Sequence, residues 1–80
     1  MTYMWQEQRG EMRFWFQTDE PEVAERMRRR QKFTLTGRGM NCKIWIYIST
    51  FYSPQKARGA LAQLTNRKVQ KDSSEDMYYA

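Results

Sequence analysis

The chain has 80 residues, a net charge of +5, one cysteine and no histidine, and 15% of its residues are aromatic. This length allows one domain, the single cysteine excludes an internal disulfide, and a zinc site needs several ligands of kinds that the chain lacks. The N-terminus has neither the basic start nor the apolar run of a signal peptide, and no segment approaches the roughly 20 apolar residues of a membrane span. We therefore expect a folded cytoplasmic domain that uses no metal, no cofactor and no membrane.

Charge is distributed unevenly along the sequence. No carboxylate side chain occurs between Arg26 and Lys71, and that segment carries twelve cations, whereas the residues before and after it are net acidic. Such a separation predicts a basic surface that meets an anionic partner, either nucleic acid or an acidic patch on a protein. The alternative is that these cations form only a solvated surface that keeps the protein soluble and happens to lack acidic residues.

The first predicted element is a strand over residues 12–17, whose side chains alternate between two faces. The face expected to be buried carries Met12, Phe14 and Phe16. The opposite face carries Arg13, Trp15 and Gln17.

A helix is predicted next, from Asp19 to about Gln31. Asp19 can cap its first turn, and Pro21 is tolerated there because its missing N–H is not needed. The acidic residues near the start and the arginines near the end suit the two ends of the helix dipole.

Two further strands are predicted after this helix. Residues 32–36 form the second strand, with Phe33 and Leu35 facing inward, and Gly37-Arg38-Gly39 predicts the turn that follows. The third strand covers residues 42–49. Its core face is expected to carry Cys42, Ile44, Ile46 and Ile48, and its other face Lys43, Trp45, Tyr47 and Ser49.

The second helix is predicted to begin at Ser53-Pro54, a capping residue followed by proline. Its apolar stripe has helical spacing and consists of Ala57, Ala60, Leu61 and Leu64. Asn66 is a plausible left-handed stop. A final edge strand is expected at residues 77–79, with a shorter strand near Val69 as the alternative.

The elements together follow the β-α-β-β-α-β order of ferredoxin-like α+β folds, with an antiparallel sheet and both helices on one face. Residues 10–80 are expected to form this single domain. Residues 1–9 are expected to be a separate N-terminal segment that is mobile or covers the second face of the sheet.

Aromatic and basic residues alternate on the sheet face that the helices are expected to leave open. Trp15, Trp45 and Tyr47, flanked by Arg13 and Lys43, form the pattern of a platform on which bases of a single strand stack while cations follow the phosphates. The further cations expected to contact phosphates are Arg26, Arg29, Arg30, Lys32 and Arg38. The alternatives are that the chain's own termini or another protein cover these rings.

The topology, and the aromatic residues on its two central strands, resemble those of RNA-recognition-motif domains. The segment Gly37–Tyr47 has a basic-glycine start and later aromatic residues, as the third strand of that family does. It lacks the glycine-aromatic-glycine-aromatic signature of the family, so membership is not predicted.

Catalysis is not predicted. The commonest general base, histidine, is absent, and Cys42 is expected to be a small buried apolar residue. The predicted function is therefore that of a non-catalytic accessory domain that binds nucleic acid, preferably single-stranded, without sequence specificity. The alternative is an adaptor that docks an acidic protein through the same basic and aromatic surface.

Overall fold

A six-stranded antiparallel sheet and two α-helices form the α+β fold of this computed structural model, which describes residues 1–8, 10–72 and 77–80. In chain order the described elements are β1 (Thr2–Gln6), β2 (Arg13–Thr18), α1 (Pro21–Arg28), β3 (Thr34–Gly39), β4 (Ile44–Thr50), α2 (Pro54–Thr65), β5 (Gln70–Lys71) and β6 (Met77–Tyr79). None of the helices in this described part is long and apolar enough to cross a membrane.

The order of strands across the sheet is β3-β4-β2-β1-β6-β5. The predicted neighbours β2 and β4 do pair, but the four-stranded ferredoxin-like order is not matched because two more strands take part. Strand β1 lies between β2 and β6, and β5 extends the far edge. The expected N-terminal segment is therefore largely a strand of the sheet, with alternate residues Thr2 and Met4 buried.

Both helices pack on one face of the sheet, as expected. Val23 and Met27 of α1 and Leu61 and Leu64 of α2 share one buried cluster with the ring of Phe16 and other residues of β1 and β2. At about 25 cal/mol per Å² of buried apolar surface, this contact is the main source of stability for so short a chain.

The helix ends follow local signals in part. Ser53 accepts a hydrogen bond from the Lys56 N–H at 3.2 Å, and Asn66 ends α2 in the left-handed conformation with φ 55°, as predicted. Helix α1 ends at Arg28 rather than near Gln31, because the chain turns there and brings Phe33 into the core. Its N-cap is Glu20 rather than Asp19.

The pairing of β2 with β4 decides which residues of β4 face the helices. Phe16 lies directly opposite Tyr47, and directly paired residues point to the same side of a sheet. Tyr47 is accordingly only 4% exposed, and Trp45 packs against the core from the same side. The predicted orientation of this strand is wrong: Trp45 and Tyr47 face the helices, and the isoleucines expected in the core, Ile44, Ile46 and Ile48, face the other way.

The physical reason is that β4 is apolar on both sides. Alternation identifies such a segment as a strand but does not say which side is buried, and a shift of one residue exchanges the two sets. The ring of Tyr47 packs edge-on against Phe33, with 6.4 Å between centroids, and so fills part of the core under the helices.

The turn between β3 and β4 also differs from the prediction. Gly37, Arg38 and Gly39 belong to β3, and the turn is made by Met40, Asn41 and Cys42, all with positive φ. Cys42 is exposed in this turn rather than buried. Met12, also expected in the core, precedes β2 and is exposed.

Candidate nucleic-acid interface

The structure separates the predicted site residues onto two sides of the sheet. Trp15 and Arg13 lie on the face without helices, because they pair with Ile48 and Thr50 of β4. Trp45, Tyr47 and Arg38 lie on the helix side. The single aromatic platform predicted from Trp15, Trp45 and Tyr47 is therefore not formed.

We call the side of the sheet opposite the helices the open face. Its side chains, from β1, β2, β4, β6, β3 and β5, are Tyr3, Trp5, Arg13, Trp15, Gln17, Ile44, Ile46, Ile48, Thr50, Met77, Tyr79, Thr34 and Gln70. Arg13 is the one charged residue among these strand positions. Its guanidinium forms an ion pair with Glu7 at 3.1 Å. The open face therefore offers aromatic and aliphatic surface but little positive charge for phosphates.

The helix side of the β3–β4 hairpin combines aromatic and basic groups. We call this region the hairpin patch and define it by Arg28, Leu35, Arg38, Trp45 and Tyr47. Leu35 pairs with Tyr47 and Arg38 with Trp45, so all four point to the helix side. Leu35 is nevertheless 47% exposed, since the helices do not cover this edge of the sheet.

Arg38 is held in place within this patch. Its guanidinium carbon lies 4.6 Å from the centroid of the Trp45 ring, a distance typical of a cation–π contact. Its Nε donates to the carbonyl of Ile44 at 3.3 Å, and another of its N–H groups donates to the carbonyl of Cys42. The guanidinium is thus held between the indole ring and two backbone carbonyls.

Positive charge from the end of α1 also acts on the hairpin patch. Burial raises the pKa of the Tyr47 hydroxyl, while the positive charges of Arg28 and Arg38 oppose this rise. Arg28 and Arg29 both form ion pairs with Glu25, whose pKa is lowered chiefly by the hydrogen bond from Arg28. Two arginines at the end of α1 thus share one carboxylate, and Arg38 adds a further positive charge on the helix side of the hairpin.

The remaining predicted cations are not arranged as expected. The ridge of Arg26, Arg29 and Arg30 required a helix that continued past Arg28. Instead Arg26 donates to the carbonyl of Leu64 at 2.8 Å, and Arg30 donates to the Gln63 side chain at 3.3 Å. Both arginines thus serve the contact between α1 and α2, where carbonyls at a helix end need donors.

Two lysines of the predicted site lie at opposite ends of the hairpin. The ammonium of Lys32 lies 5.6 Å from the ring centroid of Tyr52. Lys43 ends the β3–β4 turn, where its backbone N–H donates to the carbonyl of Gly39 at 3.0 Å. Its side chain is exposed and lines a surface pocket with Asp19 and Ile44.

Sequence reasoning missed Arg28 and Leu35 as site residues. The helical spacing of Arg26, Arg29 and Arg30 places Arg28 on another face of the helix. The alternation of residues 32–36 assigns Leu35 to the core. The N-terminal segment with Trp5 is expected to be mobile or to cover the second face, whereas the structure makes Trp5 part of that face, on strand β1. The alternation of Thr2-Tyr3-Met4-Trp5 is itself the pattern of a strand.

Comparison with known proteins does not add to these observations. No family model matches the chain, and no curated protein or solved structure is significantly similar to it.

Proposed function

We propose that this chain is a non-catalytic accessory domain that binds nucleic acid at the hairpin patch and prefers single strands. The observation that carries the proposal is the contact between the guanidinium of the exposed Arg38 and the indole of Trp45, beside the exposed Leu35. The positive charge of Arg28, at the end of α1, acts on the same helix side of the hairpin. Such a domain would meet its ligand in the cytoplasm.

Phosphate recognition is the first part of the proposed mechanism. Arginine presents a planar fork of donors that fits phosphate oxygens, and each neutralised phosphate releases counterions. Arg28 and Arg38 are exposed, and so is the neighbouring Lys43. Binding of this kind weakens steeply as salt concentration rises.

Base stacking is the second part, and it differs from the platform expected from the sequence. The indole of Trp45 is half-buried against the core, and Arg38 lies over its ring. The surface offered to a base is therefore the guanidinium plane of Arg38, which Trp45 holds in position. Bases of single strands stack on arginine planes as well as on aromatic rings, and Leu35 adds apolar contact beside this plane.

The test compares two double variants that lose the same charge. Arg28→Ala with Arg38→Ala removes two cations from the patch, and Lys56→Ala with Lys68→Ala removes two exposed cations elsewhere. Fluorescence anisotropy with a labelled mixed-sequence oligonucleotide, single-stranded and duplex, gives the affinity at several salt concentrations.

We expect the patch variant to bind a single strand at least tenfold more weakly at low salt. Its log–log salt slope should be less steep by about 1.4, since each phosphate contact on a single strand contributes roughly 0.7. The control variant should change much less. Equal losses in both variants, or no binding by the wild-type protein at low salt, would refute the proposal.

A third variant isolates stacking from charge. Arg38→Lys keeps the positive charge but removes the planar group. We expect it to retain most of the salt slope and to lose the preference for single-stranded over duplex oligonucleotide. An unchanged preference would show that Arg38 acts only as a charge.

A second candidate is an adaptor that binds an acidic protein segment at the same patch. It is favoured by the exposed apolar side chains of Leu35 and Met40, which are 47% and 73% exposed next to the cations. An acidic peptide with one apolar side chain would fit these groups. Absence of oligonucleotide binding, together with tight binding of one acidic partner that Leu35→Ser weakens, would favour the adaptor.

A further inference from the structure

The open face is mainly aromatic and aliphatic, and exposing such a surface to water is unfavourable. Trp5, Trp15 and their isoleucine and tyrosine neighbours form a continuous apolar surface on the side away from both helices. The indole rings of Trp5 and Trp15 are nearly parallel, at 4°, with 6.1 Å between centroids. Tyr3 and Tyr79 extend this surface on the next pair of strands, with 6.2 Å between their rings.

The tryptophan pair lies at the centre of this face. Trp5 and Trp15 are directly opposite each other on β1 and β2, which are the two middle strands of the six. The polar residues Thr34 and Gln70 lie toward the two edges, on β3 and β5, and Arg13 and Thr50 lie together at one end of β2 and β4. Gln17 is the polar residue nearest the tryptophan pair, on β2. A central aromatic anchor with a polar rim is the arrangement of a protein interface.

We propose that the open face is the interface of a homodimer, in which two copies of this chain pack sheet against sheet. A two-fold axis in the plane of the interface, running past Trp5 and Trp15, would superimpose the centre of one face on the centre of the other. The same patch then serves both copies, as an isologous contact requires. The two sheets would lie about 10 Å apart.

The area of the open face is compatible with a second copy of the chain as the partner. The six strands contain 29 residues, and β5 and β6 are much shorter than the rest. At about 3.3 Å per residue and about 4.8 Å between strands, the projected area is about 460 Å², and the relief of the side chains makes the accessible area larger. A standard specific interface buries about 800 Å² on each partner. The face is thus of the right order for a stable dimer of a molecule with extents of 31 × 26 × 21 Å.

Charge favours a second copy rather than a charged partner. The net charge of +5 would make two copies repel if their basic sides met. Sheet-to-sheet packing instead places both helix sides, with their hairpin patches, on opposite outer surfaces, farther apart than the roughly 8 Å over which charges are felt at physiological salt. The one charged strand residue on the face, Arg13, already has Glu7 as a partner. This inference does not rest on nucleic-acid binding.

The first measurement is the molar mass of the wild-type protein by sedimentation or light scattering from low to high micromolar concentration, at moderate and high salt. We expect a species of twice 9.8 kDa that persists or strengthens in high salt, because the contact is apolar. A monomer at every concentration would overturn the proposal and leave the face to a different protein.

Two variants then locate the interface. Gln17→Glu places a nearly isosteric carboxylate on the open face, where water solvates it in a monomer and the dimer would bury it. Gln55→Glu makes the same charge change at an exposed position of α2. We expect Gln17→Glu to weaken the dimer at least tenfold and Gln55→Glu to leave it unchanged. A dimer that both variants retain would place the contact on another surface and overturn the proposal.

Tryptophan emission gives an independent readout on the unmodified protein. Burial of Trp5 and Trp15 should shift the emission to the blue as concentration rises, in step with the dimer mass. Trp45→Phe removes the one tryptophan on the helix side and should keep this shift. Dimer formation without any shift would contradict a contact at the open face, even if the Gln17 variant failed to fold.

Discussion

Glu20 accepts a hydrogen bond from the guanidinium of Arg67 at 2.8 Å, which joins the residue before α1 to the segment after α2 across 47 positions of sequence. The other oxygen of Glu20 accepts a bond from the Thr2 hydroxyl at 2.9 Å, and Arg67 also donates to the carbonyl of Ala80 at 3.0 Å. The carboxylate of Glu20 thus joins the first strand to the start of α1. Through Arg67 it is also linked to the segment after α2 and to Ala80.

This contact makes the stability of the protein sensitive to acid. The hydrogen bond from Arg67 lowers the pKa of Glu20 from 4.5 to about 2. Because the folded protein holds the ionised form more strongly than the unfolded chain does, the stabilisation is complete above pH 4.5 and is lost as the pH falls from there toward 2.

We expect Glu20→Gln to lower the free energy of unfolding by about 1–2 kcal/mol at pH 7 and to have little effect near pH 2. Urea unfolding at both pH values measures this difference. Glu22→Gln, an exposed change in the first turn of the same helix, is the control and should cost little at either pH. An equal cost of Glu20→Gln at both pH values would show that its role is not electrostatic.

Two serines should respond to alanine substitution in opposite directions. Ser49 is 1% exposed, and its hydroxyl oxygen has no hydrogen-bond partner among the described residues. Removing an unsatisfied buried hydroxyl is neutral or stabilising, by up to about 1 kcal/mol. Ser53 caps α2, so Ser53→Ala should destabilise by about 1 kcal/mol. Chemical denaturation of both variants tests this, and a clear loss on Ser49→Ala would mean that the hydroxyl does find a partner.

Arg26 should contribute to stability rather than to nucleic-acid binding. Its hydrogen bond to the carbonyl of Leu64 joins the two helices, whereas Arg29 is exposed and its ion pair within the described part of the chain is with Glu25. We expect Arg26→Ala to destabilise by about 1–2 kcal/mol and Arg29→Ala by less than about 0.5 kcal/mol. Thermal unfolding compares them, and similar values would contradict the assignment.

Replacing two glycines by alanine should change the stability of the protein in opposite directions. A methyl group would meet no atom within 4 Å at either Gly59 or Gly10, but Gly10 has φ 92° and Gly59 lies inside α2 with ordinary φ. Gly59→Ala should stabilise by about 0.5–1 kcal/mol because alanine favours helix. Gly10→Ala should destabilise by about 1 kcal/mol because its backbone disfavours a side chain. Unfolding midpoints in urea decide this, and a loss on Gly59→Ala would indicate a close neighbour at that site.

Local chemistry in the sequence was enough to predict much of the fold. The Ser53-Pro54 start, the stripe of Leu61 and Leu64 and the left-handed Asn66 all depend on contacts within a few residues, and all are present in α2. The strand nature of residues 13–18 and 44–50, and the presence of a strand at 77–79, follow from local alternation in the same way.

The candidate site depended on tertiary structure, because strand pairing decides which side of a strand is buried. Trp15 and Trp45 have the same local pattern, yet the register of β2 against β4 places them on opposite sides of the sheet. Arg38 came next to Trp45 only because the hairpin turn lies three residues later than its glycines suggested.

The sequence by itself determined that the chain is a basic α+β domain with an acid-free central segment, since charge and local periodicity are properties of short stretches. The tertiary structure alone decided that the open face is mainly aromatic and aliphatic and that Arg38 packs against Trp45 on the helix side. The reason is that period-two alternation is symmetric between the faces of a strand, and only the pairing of distant strands breaks that symmetry.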